Sequence, residues 1–158
     1  MTIVSIDTGD PKVKDSTSAI VKITFNGEEK KRSAMAYTGS FDSKTENLLA
    51  FIGEPDFIVI EQIDATNKFI KRSVFAEQVS LHRFLKSIYK DKVQELVRSG
   101  RKEIITDDLL KKIELFSEGG IPTHHHDIRE ATRNLLYFMA KSPELNKVLS
   151  KYVQRFFN

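Results

Sequence analysis

The chain contains no cysteine, and none of its apolar stretches approaches the length of a membrane span. The lack of cysteine excludes disulfide bonds and thiolate zinc sites, and it favours a reducing, intracellular setting. Met1-Thr2-Ile3 leads directly into a strand pattern, without the basic segment that begins a secretory signal. The sequence therefore predicts a protein of the cytoplasm, or of another reducing compartment, that has no membrane partner.

The order of the predicted elements indicates an α/β domain. Thr2–Gly9 is typical of a strand, and Asn26-Gly27 between two alternating runs is a strong hairpin signal. A helical pattern separates the first strand from the apolar run Phe57–Gln62, so these strands are expected to pair in parallel through a crossover. We predict one domain over residues 1–158, with a mixed sheet (an antiparallel hairpin plus parallel strands) flanked by helices. The remaining predicted elements are strands at Thr17–Phe25, Glu29–Tyr37 and Lys92–Val97, and helices at Ser43–Ile52, Ser73–Tyr89, Thr106–Phe116 and from Thr123 onward.

Basic residues are concentrated in one segment of the chain. Between Lys68 and Lys102, ten lysines and arginines face three acidic residues, so this segment carries +7 and the rest of the chain −4 of the total charge of +3. A basic surface on an otherwise acidic body is typical of a protein that binds a polyanion, although a solvated helix face shows the same pattern. The residues expected to contact a nucleic acid are Lys68, Lys71, Arg72, Arg83, Lys86, Arg101 and Lys102.

Two carboxylates stand where predicted strands end. Asp7 closes the first strand, and Glu61 follows the β-branched run Ile58-Val59-Ile60, which is typical of a central strand buried on both faces. The carboxyl ends of parallel strands meet at one edge of a sheet, where functional sites form. Asp7 and Glu61 are therefore expected to lie side by side, although a Glu61 that leads into a solvated loop fits the strand pattern equally well.

A second pair of acids, Asp127 and Glu130, lies in the first turns of a predicted helix. Their i, i+3 spacing places both on one helix face, and the small Ala131 lets that face approach a sheet. Ordinary acidic residues at a helix N-terminus also explain the pair. Gathered with Asp7 and Glu61, these carboxylates repel one another unless a cation compensates them. Oxygen ligands without cysteine suit Mg²⁺ or Mn²⁺, and two such ions about 4 Å apart promote attack of water on a phosphodiester.

Three short strings carry a resemblance to a known family. They are Val-Ser-Ile-Asp7-Thr-Gly, Ile-Val-Ile-Glu61-Gln and His-Asp127-Ile-Arg-Glu130-Ala, in this order along nearly the whole chain. Together they resemble the RuvC family of Holliday junction resolvases, whose pattern is an Asp on the first strand, a Glu-Gln at the end of the fourth and a late-helix Asp-x-x-Asp-Ala. Glu130 departs from the Asp that is usual at its position. The short middle of the chain looks more like that of phage or organellar relatives.

The resemblance implies an RNase H-like fold and a homodimeric, metal-dependent endonuclease that resolves four-way DNA junctions by paired nicks. It also implies that Asp7, Glu61, Asp127 and Glu130 are catalytic and hold the metal ions. The family tends to carry a lysine in a glycine-rich stretch before the last helix, and Ser99-Gly-Arg-Lys102 is only a loose counterpart of that stretch.

Other interpretations of the same residues stay open. An RNase H-like nuclease that acts on RNA, or on branched DNA more broadly, has the same fold and acids, and a nucleic-acid-binding relative without activity has the same basic segment. A sugar-kinase or actin-like phosphate-binding domain shares the string Ile-Asp-Thr-Gly. That architecture needs a second domain to close over a nucleotide, and a chain of 158 residues has no room for one.

Three consecutive histidines, His124, His125 and His126, suggest a zinc site. Because consecutive helical residues point about 100° apart, the three cannot all bind one ion, and at most one, such as His124, is expected near the acids. His82, on the predicted basic helix, is expected to be exposed or to lie at an interface.

Overall fold

A five-stranded mixed sheet forms the centre of the structure, a computed structural model that describes residues 1–8, 17–38, 45–63, 72–97, 99–116 and 125–157. Its strands are β1 (Thr2–Asp7), β2 (Thr17–Asn26), β3 (Glu29–Thr38), β4 (Phe57–Glu61) and β5 (Val93–Leu96). They lie in the order β3-β2-β1-β4-β5. The pairs β1–β2 and β2–β3 are antiparallel, whereas β1–β4 and β4–β5 are parallel. The predicted combination of an antiparallel hairpin with parallel strands is confirmed.

Helices cover both faces of this sheet. They are α1 (Thr45–Ile52), α2 (Arg72–Tyr89), α3 (Arg101–Ile104), α4 (Asp107–Lys112), α5 (His125–Lys141) and α6 (Pro143–Gln154). Leu48 of α1 and Leu85 of α2 join the apolar cluster on one face, while α4, α5 and α6 contribute to the cluster on the other. None of the described helices combines the length and the apolar character that a membrane span requires.

The region before α5 differs most from the prediction. The short helix α3 was not predicted. The helix after Thr106 begins as expected, because the Thr106 side chain accepts a hydrogen bond from the Leu109 amide. It ends at Lys112 rather than near Phe116, and the following turn contains Glu114 in the left-handed region, with φ of 62°. A residue in the left-handed region cannot continue an α-helix, so α4 ends before the turn at Glu114.

The β2–β3 hairpin forms with its turn one residue later than Asn26-Gly27. Asn26 pairs with Glu29, so the two turn residues are Gly27 and Glu28. Gly27 has φ of 63°, which a glycine adopts without steric cost. The predicted loop at 10–18 lies largely outside the described residues, and the predicted connector at 117–122 lies outside them entirely.

The alternation of side chains along β1 and β4 decides where their acidic ends point. Ile3 and Val59 lie in the apolar cluster under α5, whereas Val4 next to Ile3, and Ile58 and Ile60 on either side of Val59, lie in the cluster under α1 and α2. Because side chains alternate with a period of two, Asp7 and Glu61 point to the α5 side of the sheet. Residues 58–60 are buried on both faces, as predicted for a central strand.

Small side chains lie where α5 crosses the sheet. The helix packs mainly on β1 and β2, and Ala131 at its centre is fully buried. Ser5, which shares the α5-facing side of β1 with Asp7, is also fully buried. Small residues on both elements let the helix approach the strand that carries Asp7.

Replacing Ala131 with leucine should lower the free energy of unfolding by about 1–3 kcal/mol, because a filled interior has no space for the added carbons. Chemical denaturation of the two proteins measures the difference. Ala76→Leu is the matched control, since Ala76 is exposed on α2 and a surface change of this kind stays within about 0.5 kcal/mol. If Ala131→Leu were as stable as the parent protein, α5 would not pack tightly on the sheet.

Candidate active site

Asp7 and Glu61 end two neighbouring strands at one edge of the sheet. In the parallel pair β1–β4, Ile6 lies opposite Ile60, so Asp7 and Glu61 are the next residues of the two strands. Asp7 is 4% exposed, and Glu61 is half-buried. The predicted parallel pairing of these two strands is confirmed.

α5 brings further polar side chains to the same edge. Asp127 in its first turn is half-buried, and Glu130 is buried. Asn134 lies four residues after Glu130 on the same helix face. Its side-chain Nδ2 donates a hydrogen bond of 3.0 Å to Glu61 Oε1. This bond ties the helix to the end of β4.

Asn134 was not singled out in the sequence, although its spacing carries a signal. It follows Glu130 by four residues and Asp127 by seven, so the three polar side chains form one stripe along the helix. Asn134 is 1% exposed and lies between the buried residues Arg133 and Leu135. A stripe of polar side chains on a buried part of a helix indicates groups that bind one another or a ligand.

Glu130 is held between two buried guanidinium groups. Arg101 Nη1 donates to Glu130 Oε2 and, at 3.1 Å, to Asn134 Oδ1. Arg133 Nε lies 3.4 Å from Glu130 Oε1. Burial alone would raise the pKa of Glu130, but the charges of Arg101 and Arg133 outweigh burial and hold that pKa below its ordinary value. The carboxylate is therefore ionised at neutral pH and compensated by protein groups.

The four predicted acids are thus in different situations. Asp7, Glu61 and Asp127 offer carboxylate oxygens of the kind that suits a hard divalent cation. Both oxygens of Glu130 face arginines. Within the described ranges, no group of three or more histidine and acidic side chains is arranged to hold a metal ion. A metal-binding role for the four acids stays a prediction.

The basic residues predicted to contact a nucleic acid also differ from one another, because some are engaged with acidic residues and others are exposed. Arg101 is 5% exposed and is engaged with Glu130. Lys86 is exposed, but its Nζ lies 2.7 Å from Glu95 Oε1. The other exposed residues of the set are Arg83 and Lys102. Lys68, Lys71 and the side chain of Arg72 lie outside the described residues.

His82 is buried, and the prediction that it is exposed or interfacial is wrong for the chain as described. It is 5% exposed, and its Nδ1 lies 3.3 Å from Glu95 Oε1. Burial lowers the pKa of His82, although its hydrogen bonds to the Glu95 side chain and to the Glu61 backbone oppose that effect. The side chain lies on the face of α2 that covers β4 and β5, where it supports the backbone at Glu61.

A cleft of about 320 Å³ opens beside Glu130, between α5 and the segment that contains α3 and α4. Its wall carries both signs of charge, because Lys102 and Arg129 line it together with Asp107 and Asp108. His126, which is exposed, also lines the cleft. His124 and the side chain of His125 lie outside the described residues.

Glu130→Gln should lower the free energy of unfolding at pH 7 by about 3–5 kcal/mol, because it leaves two buried guanidinium groups facing a neutral amide. A depressed carboxyl pKa contributes stability that is complete above the ordinary value of 4.5 and is lost as the pH falls through the folded-state pKa. The difference from the parent protein should therefore shrink below pH 4.5.

Urea titrations at pH 7 and at a series of acidic pH values measure both effects. Glu103→Gln is the control, since Glu103 is exposed on α3 and its replacement should change little at any pH. A Glu130→Gln protein with the stability of the parent at pH 7 would show that the arginines do not depend on this carboxylate.

The sequence matches no family model and no curated protein. The fold does match solved structures. RuvC from Thermus thermophilus in complex with a Holliday junction substrate aligns with a TM-score of 0.60 and 10% identity, over 87% of this chain and 92% of its own. A second structure of Thermus thermophilus RuvC gives a TM-score of 0.58 at the same identity and coverage.

A viral protein has the same architecture. Fowlpox virus resolvase in complex with its substrate Holliday junction DNA aligns with a TM-score of 0.53 and 16% identity, over 94% of this chain and 99% of its own. Both kinds of resolvase are matched along almost their full length. This chain therefore has the RuvC-like, RNase H-like fold that the three sequence strings implied.

Proposed function

We propose that this chain is a metal-dependent endonuclease that resolves four-way DNA junctions by paired nicks. The observation that carries the proposal is the placement of Asp7 and Glu61 at the ends of adjacent parallel strands, facing α5, within a RuvC-like fold. The Thermus thermophilus and Fowlpox virus proteins that share this fold are bound to Holliday junctions. The concentration of basic residues between Lys68 and Lys102 supports a nucleic acid as the substrate.

Asp7, Glu61 and Asp127 are the residues that would hold Mg²⁺ or Mn²⁺. When bound, such an ion supplies an activated water and stabilises the charge that develops on a phosphodiester. The protein's own part is to fix the carboxylates. The β1–β4 pairing sets Asp7 beside Glu61, and the Asn134 amide holds one oxygen of Glu61. Because Glu61 and Asp127 are only half-buried, solvent reaches the acids.

Exposed lysines and arginines of the basic segment are proposed to hold the DNA backbone. Lys102 lines the cleft beside Glu130, and Arg83 projects from α2. Contacts of this kind fix the position of a duplex without reading its sequence, as a structure-selective enzyme requires. Lys68, Lys71 and Arg72 complete the proposed set, whereas Lys86 shares its charge with Glu95.

A homodimer fits this activity. A four-way junction is cut on two opposed strands, and each chain provides one set of acids. A twofold dimer presents two equivalent sites to a substrate that has nearly the same symmetry. On α2, Ile88 is 44% exposed, which makes it an apolar residue that an interface between two chains would cover.

Asp7→Asn and Glu61→Gln should each abolish cleavage of a synthetic mobile four-way junction in Mg²⁺ while leaving binding of the junction nearly unchanged. The acids serve the metal, and removal of a negative charge does not weaken the binding of a polyanion. Gel assays of cleavage and of binding, run side by side, separate the two effects. Glu144→Gln, at an exposed acid of α6, is the control and should cut normally.

Cleavage by either variant at the parental rate would sink the proposed site. The same assay should include a linear duplex of matched sequence and an RNA–DNA hybrid. If either substrate were cut as fast as the junction, the enzyme would be a broader nuclease of the same fold rather than a resolvase.

Replacing Lys68, Lys71 and Arg72 with glutamine should flatten the salt dependence of junction binding, by up to about one unit of log–log slope for each phosphate that is no longer neutralised. Fluorescence titrations at several salt concentrations give the slope. The matched control replaces three exposed lysines at the end of α5 and on α6, Lys141, Lys147 and Lys151, and so removes the same charge. Equal slopes in the two triple variants would mean that binding senses only net charge.

A further inference from the structure

Three polar side chains form a stripe along α2. They are Gln78, His82 and Lys86, which follow one another at intervals of four residues and therefore share one side of the helix. Leu81 and Leu85, next to this stripe, pack into the apolar cluster on the sheet face that α2 covers. The stripe is half-buried at Gln78, buried at His82 and exposed at Lys86. Because it borders the core contact of α2, the stripe reaches the sheet as well as the solvent.

Gln78 lies at the end of β1. Its Nε2 donates a hydrogen bond of 3.4 Å to Thr8 Oγ1. From β2, the Ser18 hydroxyl donates to the Thr8 carbonyl at 3.2 Å. Thr8 directly follows Asp7, so these two contacts restrain the backbone on the C-terminal side of that acid. The end of β1 is thus held by a neighbouring strand and by α2.

His82 lies at the end of β4. The ring hydrogen-bonds to the Glu61 backbone, and its Nδ1 lies 3.3 Å from Glu95 Oε1. Glu95 belongs to β5, where it pairs with Ile60, the residue before Glu61. The same Glu95 oxygen accepts a hydrogen bond of 2.7 Å from Lys86 Nζ. His82 therefore connects the last residue of β4 with β5, and Lys86 helps to fix the carboxylate that orients the ring.

The helices α2 and α5 hold the two strand ends from opposite faces of the sheet. Asp7 and Glu61 direct their side chains toward α5, where Asn134 donates to Glu61 Oε1. Gln78 and His82 bind the chain at the same two strand ends from the α2 side. The separation of the two carboxyl groups depends on the backbone at both ends. A change in α2 therefore moves the acids through the backbone of their strands.

We propose that Gln78 and His82 are positioning residues of the active site, which hold the ends of β1 and β4 so that the two acids keep the spacing that cleavage requires. The inference rests on the proposed function, because it presumes that Asp7 and Glu61 act together on the substrate. Neither positioning residue needs to touch the DNA or an ion, since each acts through the backbone. Loss of either side chain should slow the chemical step and leave DNA binding as it is.

Gln78→Met and His82→Phe remove the polar atoms while keeping an unbranched chain and an aromatic ring. Each should lower kcat for junction cleavage by about 10–100-fold, with KM and junction binding as in the parent, because the end of a strand that carries an acid shifts. Hydrogen exchange of the free protein, followed by NMR, gives a readout that does not depend on activity. The Gln62 amide, which donates to the Leu96 carbonyl at 2.9 Å, should exchange about tenfold faster in His82→Phe, and the amides of residues 6–8 should do so in Gln78→Met.

Tyr152→Phe and Gln94→Met are the matched controls. Tyr152 donates to the Ile113 carbonyl and Gln94 to the Asp91 carbonyl, so each control also loses a hydrogen bond to the backbone, but away from the acids. Both should keep the parental kcat and the parental exchange rates at the two strand ends. A general loss of stability would speed exchange in every strand alike, whereas Gln78→Met and His82→Phe should leave the β2–β3 hairpin as in the parent.

Parental kcat in a folded Gln78→Met or His82→Phe protein would overturn the assignment of that residue, as would an equal rise of exchange in the β2–β3 hairpin. If His82→Phe does not fold, Gln78→Met, at a half-buried position, decides by the same two measurements. A parent chain that cuts no junction loses the proposed function, and the exchange rates then decide alone whether α2 holds the two strand ends.

Discussion

The contact between α5 and the sheet joins the two halves of the candidate site. Its apolar part, which includes Ile128, Ala131 and Leu135, is fully buried and supplies about 1.5–3 kcal/mol for each large side chain. Its polar part, centred on Glu130 and Asn134, fixes the axial position of the helix. A slide by one turn would leave buried charges unpaired at a cost of several kcal/mol, so the apolar and polar contacts together allow only one register.

Sequence patterns were sufficient to predict the sheet and the positions of Asp7 and Glu61 at its edge. The β-branched run before Glu61 indicates a buried strand, and a helix between two strands favours parallel pairing, so the neighbourhood of Asp7 and Glu61 follows from local rules. The position of Arg101 beside Glu130 does not follow from local rules. Its partner Glu130 lies 29 residues away, and no periodicity links a basic residue after a glycine to an acid on a later helix. Among positive charges in a basic segment, sequence alone does not tell an inward guanidinium from a surface one.

The basic segment contributes less positive charge to the protein surface than the number of its lysines and arginines suggests. Arg101 directs its charge inside the protein, to Glu130, and Lys86 is paired with Glu95. The net charge of residues 68–102 represents the electrostatic field outside the molecule only if every charged side chain of the segment lies at the surface. The structure shows instead that part of this charge belongs to the acids at the end of the sheet, where it offsets the repulsion that a cluster of carboxylates creates.

The hydrogen bond from Asn134 to Glu61 closes a loop of 73 residues, and this separation orders events during synthesis. A growing chain contains Asp7 and Glu61 long before the ribosome reaches α5. Until then Glu61 lacks the amide that orients it, and Asp127 does not yet exist. Contacts of such long sequence separation also carry a high entropic cost of loop closure. The set of acids is therefore complete only once α5 has been synthesised and has packed on the sheet.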